Sequence, residues 1–269
     1  FIQNTYIPDV EAVGQVYSDY FNIGAGCRNF MAYGVFEIDD IGQDKLFAPG
    51  YIENGATQAL DDFNSQNITE SVTHSWYDDA SNNLTPMAGE TQPVYPKGEA
   101  YSWLKAPRLF GKPFEVGPLA RMWLNGDYQG GISVMDRHVA RAYETLKIAE
   151  AMQVWLNELD GGPVYDDNFE QYSGFGIGLT EAPRGALGHW VQITAGRIER
   201  YQVITPTCWN ASPKDGQAIP GPVEQALIGT PVQDQDRPIE ALRVIHSFDP
   251  CVSCAVHVIN AKRNTSLRV

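Results

Sequence analysis

Hydrophobic residues recur at three- and four-residue steps between residues 132 and 159, and this spacing predicts a long helix. The apolar positions are Met135, Val139, Ala142, Leu146, Ala149, Met152, Leu156 and Leu159. Gly161, Gly162 and Pro163 follow directly and should end the helix. We therefore expect one long helix here with one buried face.

Shorter helical patterns flank this segment. Near the start of the chain, Asp9 is a candidate N-cap for a helix that would bury Val13, Val16, Tyr17 and Tyr20. Three more patterns are PLARMWLNGDY at 118–128, GPVEQALIG at 221–229 and RPIEALRVIHSF at 237–248. The last two carry a proline near the first turn, where its missing N–H costs nothing.

Strand patterns occupy the rest of the chain. Glycine-punctuated aromatic stretches at 29–40 and 45–55 predict two or three short strands. Residues 64–117 resemble a long irregular surface segment, and residues 174–210 are strand-like. A hairpin turning at Ala195 and Gly196 would pair WVQIT with IERYQVI. The predicted fold is one unit, mainly α with small β elements, in the α+β class.

Composition narrows the choice of partners. The chain has 269 residues and a formal net charge of -14, which argues against binding to nucleic acid or an anionic membrane surface. No apolar run approaches the roughly 20 residues that span a bilayer. Four cysteines are too few for a disulfide scaffold. The last twelve residues, 258–269, contain three basic residues and no acidic one, which by composition favours an ordinary solvated tail.

A C-x-x-C pair gives the strongest chemical signal. Cys251 and Cys254 could grip one soft metal ion, and His257 follows three residues later. One pair alone is an incomplete structural zinc site, and the surroundings do not suit a thioredoxin-like redox pair. From spacing alone, a metal site, a redox pair and incidental thiols all remain open.

The segment TEAPRGALGHW at 180–190 forms a second cluster. Pro183 and Gly185 would hold Arg184 on a rigid bend, where its guanidinium could face an anion. The alternative is a structural arginine paired with Glu181 or another acid. His189 has no second histidine or cysteine at a spacing typical of metal ligands, so we expect it to belong to the fold and not to a metal site.

Together these segments resemble the C-terminal portion of the large subunit of a nickel–iron hydrogenase. The matching segments are DPCVSCAVH at 249–257, EAPRGALGHW at 181–190, TPTCWNASP at 205–213, FEVGPLAR at 114–121, VTHSWY at 72–77 and NFMAYGVF at 29–36. The resemblance implies that residues 1–257 belong to the helical core of that subunit. The family's N-terminal RxCGxC motif does not occur, which implies a partial sequence or, as the alternative, a naturally split subunit.

The resemblance also implies a metal site. Cys251 matches the terminal nickel thiolate and proton-accepting base, and Cys254 matches the thiolate that bridges nickel and iron. Arg184 matches the arginine over the open metal position, Pro183 shapes the pocket, and Asp249 would orient Arg184. The reaction implied is the reversible heterolytic oxidation of H2 to protons and electrons.

The iron of this family carries carbon monoxide and cyanide ligands. Thr207 matches the hydroxyl that faces a cyanide, and Pro206 shapes the pocket through its backbone. Cys208 stands where many relatives have threonine, and its role is unassigned. Cys27 does not match the missing motif and is not expected to be a ligand.

A second metal ion, magnesium or iron, is implied near the C-terminal histidine. Its expected ligands are His257 and the backbone carbonyl of Val203. In the family a dedicated endopeptidase cleaves after that histidine once nickel is inserted. Residues 258–269 are therefore expected to be a cleavable maturation extension. This interpretation replaces that of an ordinary solvated tail, which composition alone favours.

Further partners follow from the resemblance. Iron–sulfur clusters would lie only in a small subunit that forms an obligate heterodimer with this chain, because four cysteines are too few to hold them. A membrane cytochrome b is a further expected partner. The expected location is the periplasmic side of the inner membrane after export with the small subunit, with the cytoplasm as the alternative. Two other hypotheses are a metal-free, quinone-binding scaffold of a respiratory complex and a small zinc module.

Overall fold

The protein is described by a computed structural model of its chain. The structure describes residues 1–39, 41–53, 56–59, 65–162, 165, 172–251, 257–260 and 265–268. Within these ranges, no helix combines the length and the apolar character that a membrane span requires. Cys254 lies outside the described residues, as do residues 261–264 and Val269 of the expected extension.

Within the described residues, helices and strands are grouped along the chain: the first α-helix is followed by seven strands, two α-helices, three strands, three α-helices and two strands. The helices are α1 (Ile7–Val16), α2 (Pro118–Leu124), α3 (Val134–Glu158), α4 (Pro206–Asn210), α5 (Pro222–Leu227) and α6 (Ile239–Ser247). The strands are β1 (Phe30–Ala32), β2 (Val35–Glu37), β3 (Lys45–Phe47), β4 (Gly50–Glu53), β5 (Ala56–Ala59), β6 (Ile68–Ser71), β7 (Ala106–Leu109), β8 (Gly174–Ala182), β9 (Gly185–Thr194), β10 (Arg197–Ile204), β11 (His257–Asn260) and β12 (Thr265–Arg268). The α+β class is confirmed.

The predicted long helix is present as α3. Ser133 caps it, and the Asp136 carboxylate accepts from the backbone N–H of Ser133 in a reciprocal capping box. The first half of the predicted face is buried, as at Met135 and Ala142. The second half is not, because Met152, Leu156 and Leu159 are 52%, 66% and 76% exposed.

The prediction for α1 is wrong in its cap and its face. The N-cap position is Tyr6, and Asp9 lies in the first turn, where a carboxylate still favours the positive end of the helix dipole. Ile7 and Gly14 are the buried residues of this helix, whereas Val13 and Val16 are exposed. The chain is already helical before Ile7, because residues Ile2–Tyr6 form a π-helical turn that runs directly into α1.

The hairpin predicted at Ala195 and Gly196 is present. Both residues have positive φ, 49° and 73°, and Thr194 pairs with Arg197 across the turn. A two-residue turn of this kind matches the twist of the flanking strands. β9 also pairs with β8 on its other side, so the sheet order is β10–β9–β8 and all neighbours are antiparallel.

Elsewhere the strands are short. The N-terminal stretches form a three-stranded sheet of order β1–β4–β5 and the pair β2–β3. Short strands are therefore present, but the described residues of 29–40 and 45–55 contain four of them, β1 to β4, where two or three were predicted. Between β6 and β7, residues 72–105 contain no helix or strand other than one short 3-10 turn at Asp79–Ser81, in agreement with the predicted irregular segment.

Three apolar clusters form the interior. The first contains Met31, Tyr33, Ile68, Leu109, Phe114, Val116, Ala186, Trp190, Ile204 and Trp209. The second contains Phe30, Phe47, Ile52, Leu119, Ala120, Met122 and Ala140. The third contains Ile23, Val134, Ala226, Val244 and Phe248. The first cluster joins β9, β10 and α4, and the second places α2 against α3.

Buried arginines attach α3 to the end of α6. Arg137 donates to both oxygens of Glu115 at 2.7 and 2.9 Å, and its guanidinium lies 3.7 Å from the centre of the Phe248 ring. Arg141 donates to the Ser247 carbonyl at 2.9 Å. The chain therefore leaves α6 towards Asp249 from a fixed point.

His138 on α3 should make this packing sensitive to acid. Burial, followed by the charges of Arg141, Arg137 and Arg243, lowers its pKa from 6.5 to about 4, although Asp249 opposes the shift. Between these values the unfolded chain binds a proton that the folded chain does not, so acidification through this window lowers the free energy of unfolding. In His138→Gln, the decrease in the free energy of unfolding on acidification should be smaller by about 2 kcal/mol. Denaturant titrations at several pH values would measure it, and identical acid dependence in both proteins would contradict it.

Candidate functional site

The bend between β8 and β9 carries Arg184. Gly185 has φ +132°, in the region that favours glycine, and a Cβ on it would lie 2.6 Å from the Gly117 nitrogen. Gly117, at the N-terminus of α2, has φ +122° and would meet the Arg184 carbonyl at 2.9 Å. Two glycines therefore allow the bend and the first turn of α2 to touch through their backbones.

A buried cluster of three charged groups lies beneath the bend. Arg121 of α2 donates to Glu144 of α3 at 2.6 and 3.0 Å and to Glu181 of β8 at 2.6 Å. Glu181 also accepts from the backbone N–H of Tyr33 at 2.7 Å. Burial raises the pKa of Glu181 to about 7, although the charge of Arg121 opposes the shift.

Arg184 contacts Asp249, and this pairing links two of the sequence clusters. The Arg184 Nε donates to the Asp249 carbonyl at 2.8 Å and lies 3.2 Å from its Oδ2. Asp249 has φ +49°, a conformation that aspartate tolerates better than most residues. The alternative partner for Arg184, Glu181, is paired with Arg121 instead.

Cys251 lies next to α4. Its backbone N–H donates to Thr207 Oγ1 at 3.0 Å, and its thiol is exposed. Pro206 occupies the first turn of α4, where its fixed φ suits the helix start. Asn210, at the other end of α4, accepts from the Val116 N–H at 3.0 Å and donates to the Val116 carbonyl at 2.9 Å. Asn210 thereby attaches α4, and with it Thr207, to Val116, which packs on Gly185.

The other two described cysteines are poor ligands. Burial raises the pKa of Cys27 to about 12, with a further contribution from Glu115, so its thiol stays protonated. Burial also raises the pKa of Cys208, whose Sγ lies 3.2 Å from Thr205 Oγ1 and packs against the first apolar cluster. Of the cysteines that the structure describes, Cys251 alone presents an exposed thiol.

No hydrogen bond or ion pair of the described residues joins the remaining candidates to this group. Val203 is in β10, paired with His189 of β9, and His257 begins β11, which pairs with β12. His189 shares a hydrogen bond and a stacked ring contact with Tyr201, as expected for a residue of the fold. No group of three or more potential metal-binding side chains occurs among the described residues.

Pro183 and Asp249 also border one open cavity of about 460 Å³. Arg121 and Glu144 lie in its wall, together with apolar side chains such as Ile148. The bend, Asp249 and the buried charges therefore meet around a single space.

Reasoning from the sequence did not single out Arg121, Glu144 or Asn210. Glu144 offers a detectable signal, since it lies one turn beyond Ala140 on the buried face of α3, where a charged residue needs a partner. Arg121 and Asn210 stand inside the segments FEVGPLAR and TPTCWNASP that carry the family resemblance, but their contacts are distant in sequence.

Gly185→Ala should destabilise the protein strongly. The new Cβ would meet backbone atoms at 2.6 and 2.8 Å in an unfavourable conformation, which we expect to lower the free energy of unfolding by roughly 2–4 kcal/mol. Gly178→Ala is the matched control, because a Cβ at this position in β8 has no neighbour within 4 Å; its cost should stay below about 1 kcal/mol. Equal shifts of the denaturation midpoint in the two variants would refute the tight packing of the bend.

A family model described as nickel-dependent hydrogenase matches residues 1–130 and 124–257 of this chain. The chain is 38% identical to the periplasmic [NiFeSe] hydrogenase large subunit of Desulfomicrobium baculatum, covering 97% of this chain and 55% of that protein. It is 33% identical to the hydrogenase-2 large chain of Escherichia coli K12, covering 100% of this chain and 55% of that protein. The chain thus spans about half the length of the curated relatives it matches.

Solved structures agree with these relatives. The reduced Ni-Fe-Se hydrogenase from Desulfovibrio vulgaris Hildenborough superimposes with a TM-score of 0.88 at 36% identity, covering 93% of this chain and 57% of that chain. The reduced, active Ni-Fe-Se hydrogenase from Desulfomicrobium baculatum gives a TM-score of 0.86 at 39% identity, covering 93% of this chain and 56% of that chain. The match extends over both segments that form the Arg184–Asp249 contact, and the chain belongs to the nickel-dependent hydrogenase family.

Proposed function

We propose that this chain is part of the catalytic large subunit of a nickel–iron hydrogenase, which interconverts H2 with protons and electrons. The observation that carries the proposal is the meeting of three groups from distant segments: the exposed Cys251, the Arg184–Asp249 pair and the Thr207 hydroxyl. These groups would provide part of what such a centre needs: a thiolate ligand, a nearby positive charge and a hydroxyl donor.

The chemistry of the thiols fits a nickel–iron centre. Thiolate is a soft donor that suits nickel, and Cys251 is accessible, whereas burial keeps Cys27 and Cys208 in the protonated form. Cys251 and Cys254 would hold the nickel, with Cys254 also reaching the iron. The bound pair of metals would supply the redox chemistry by which hydrogen is split.

Cys251 has a second role in this proposal. Its Sγ would accept the proton released from hydrogen, because a terminal thiolate keeps lone pairs that a bridging one shares. The backbone N–H of Cys251 is hydrogen-bonded to Thr207, so the point from which its side chain extends would be fixed. Proximity of a fixed base to the reacting position lowers the entropic part of the barrier.

Arg184 would place its positive charge beside the metals. Asp249 accepts from the Arg184 Nε through its backbone carbonyl, and the Asp249 carboxylate lies alongside, so the guanidinium has one preferred direction. Pro183 precedes it on the bend and would line the pocket. A charge held in advance of the reaction costs no reorganisation when it occurs.

Thr207 and Pro206 would face the iron side of the centre. The Thr207 oxygen accepts from Cys251, which leaves its hydroxyl proton available for a cyanide ligand on the iron. Pro206 sets the start of α4 and so the direction of Thr207.

A magnesium or iron ion near the C-terminal histidine completes the proposed metal content. His257 and the Val203 carbonyl would bind it. Residues 1–257 would then form the mature part of the chain, and residues 258–269 an extension that an endopeptidase removes.

Partners and location follow from the same proposal. An iron–sulfur small subunit would receive the electrons, and a membrane cytochrome b would pass them on. Relatives named as a periplasmic hydrogenase and as uptake hydrogenases support a site at the periplasmic face of the inner membrane. We propose export together with the small subunit.

Metal content tests the central proposal. In the purified complete hydrogenase, Cys251→Ser should lose nickel and activity, because a hydroxyl is a harder and less acidic donor than a thiol. Cys208→Ser, its matched control, should keep both metals. Elemental analysis would measure the nickel and iron content of the two variants and of the unaltered enzyme. Zinc alone, or no metal, in the unaltered enzyme would refute the function and favour the metal-free scaffold or the zinc module.

Mass spectrometry tests the proposed extension. Active enzyme should contain a chain that ends at His257, and material that lacks nickel should retain residues 258–269. A peptide that spans His257 and Val258 in most of the active enzyme would show that the extension is not removed.

A further inference from the structure

We propose that Arg121 is a positioning residue that fixes Arg184 through the backbone of the bend, with Glu144 and Glu181 as its anchors. The inference rests on the proposed function for its catalytic meaning. Its structural part stands on the contacts of the described residues alone. Arg121 touches neither Asp249 nor Cys251 in any hydrogen bond of the structure.

Every N–H of the Arg121 guanidinium is used. Nε and one Nη2 proton bind the two oxygens of Glu144, at 2.6 and 3.0 Å. Nη1 binds Glu181 at 2.6 Å and the Ala182 carbonyl at 3.1 Å, and the second Nη2 proton binds the Pro183 carbonyl at 2.9 Å. Five donors thus meet five acceptors, three of which belong to the residues directly before Arg184.

The residue after Arg184 is fixed by the same helix. Gly185 packs its backbone on Val116 and Gly117, and Gly117 caps α2, the helix that carries Arg121. Arg184 therefore lies between two backbone points that are both attached to α2. Its side chain is only partly buried and reaches outward to Asp249. The fixed backbone determines where that side chain begins.

The buried charges make the position of the bend sensitive to loss of the Arg121 guanidinium. Two carboxylates share one guanidinium, and the side chains of Arg121 and Glu181 are only 3% and 1% exposed. Removing the guanidinium would leave two buried like charges and two carbonyls without donors, so the bend would have to move or take up protons. A lysine would restore one charge but not a planar set of five donors, and so would not restore the geometry.

Arg108 provides a matched control. Its side chain is also 3% exposed, and its donors bind Asp215, Ser212 and the carbonyls of Pro107, Pro213 and Ile219. It is therefore an equally buried arginine that holds a loop, but its hydrogen bonds do not reach residues 181–185 or 249–251. A general loss of stability would appear on substitution of either arginine, whereas an effect on the position of Arg184 would appear only on substitution of Arg121.

The test measures amide hydrogen exchange at Arg184 and Gly185 in Arg121→Met, Arg121→Lys and Arg108→Met. Arg121→Met should raise the exchange rates by about tenfold or more relative to Arg108→Met, and Arg121→Lys should restore less than half of the protection. Arg121→Met leaves two buried carboxylates unpaired, which can prevent folding. A triple variant with Arg121→Met, Glu144→Leu and Glu181→Met therefore removes all three charges together. It should fold and still show the raised exchange.

Equal exchange in the Arg121 and Arg108 variants, or full protection in the triple variant, would overturn the inference. In the assembled hydrogenase, Arg121→Lys should retain nickel and iron, because the metal ligands are intact. Its kcat should fall while its KM changes little, because Arg184 is displaced. If the unaltered enzyme contains no nickel, the proposed function fails, while the exchange result still decides whether Arg121 holds the bend.

Discussion

Much of this protein is irregular backbone, and buried guanidinium groups satisfy the carbonyls that such backbone leaves without partners. Arg108, Arg121 and Arg137 each bind at least one carboxylate and at least one backbone carbonyl of a distant segment. A buried carbonyl without a donor is costly, and arginine supplies five donors in a rigid plane. These contacts therefore hold in place the turn between β8 and β9 that bears Arg184, and the irregular segment 213–219.

Periodicity and turn residues were sufficient for many of the regular elements, but not for α4, which lies within the stretch 174–210 that was predicted to be strand-like. The long helix α3, the hairpin at Ala195 and Gly196, and α2, α5 and α6 all follow from patterns within one segment, where the physics is local. The segments that meet around Cys251 were recognisable from their motifs. Their contacts, Arg184 with Asp249 and Cys251 with Thr207, needed the three-dimensional structure because about 40 to 65 residues separate the partners.

The remaining features depend on what lies opposite each residue in space. The predicted face of α3 is apolar along its whole length, yet Leu156 is 66% exposed. Near that end of the helix, Phe36 of β2 packs against Trp155, which was not part of the predicted face. A helical turn at Ile2–Tyr6 precedes α1, so Asp9 lies inside the helical segment and not at its start. Arg121 and Glu181 are 60 residues apart, and no local rule connects an arginine in a helix with an acid at the end of a strand.

The segment around Cys251 is held to the body of the protein by polar contacts. The Asp249 carbonyl binds Arg184, and the Cys251 N–H binds Thr207, whereas no apolar side chain of 249–251 enters a cluster. The strength of such contacts depends on the local dielectric constant. Water around an open site weakens them, and a surface that excludes water strengthens them. Covering the site would therefore tighten the hold on the thiol without forming any new bond to it.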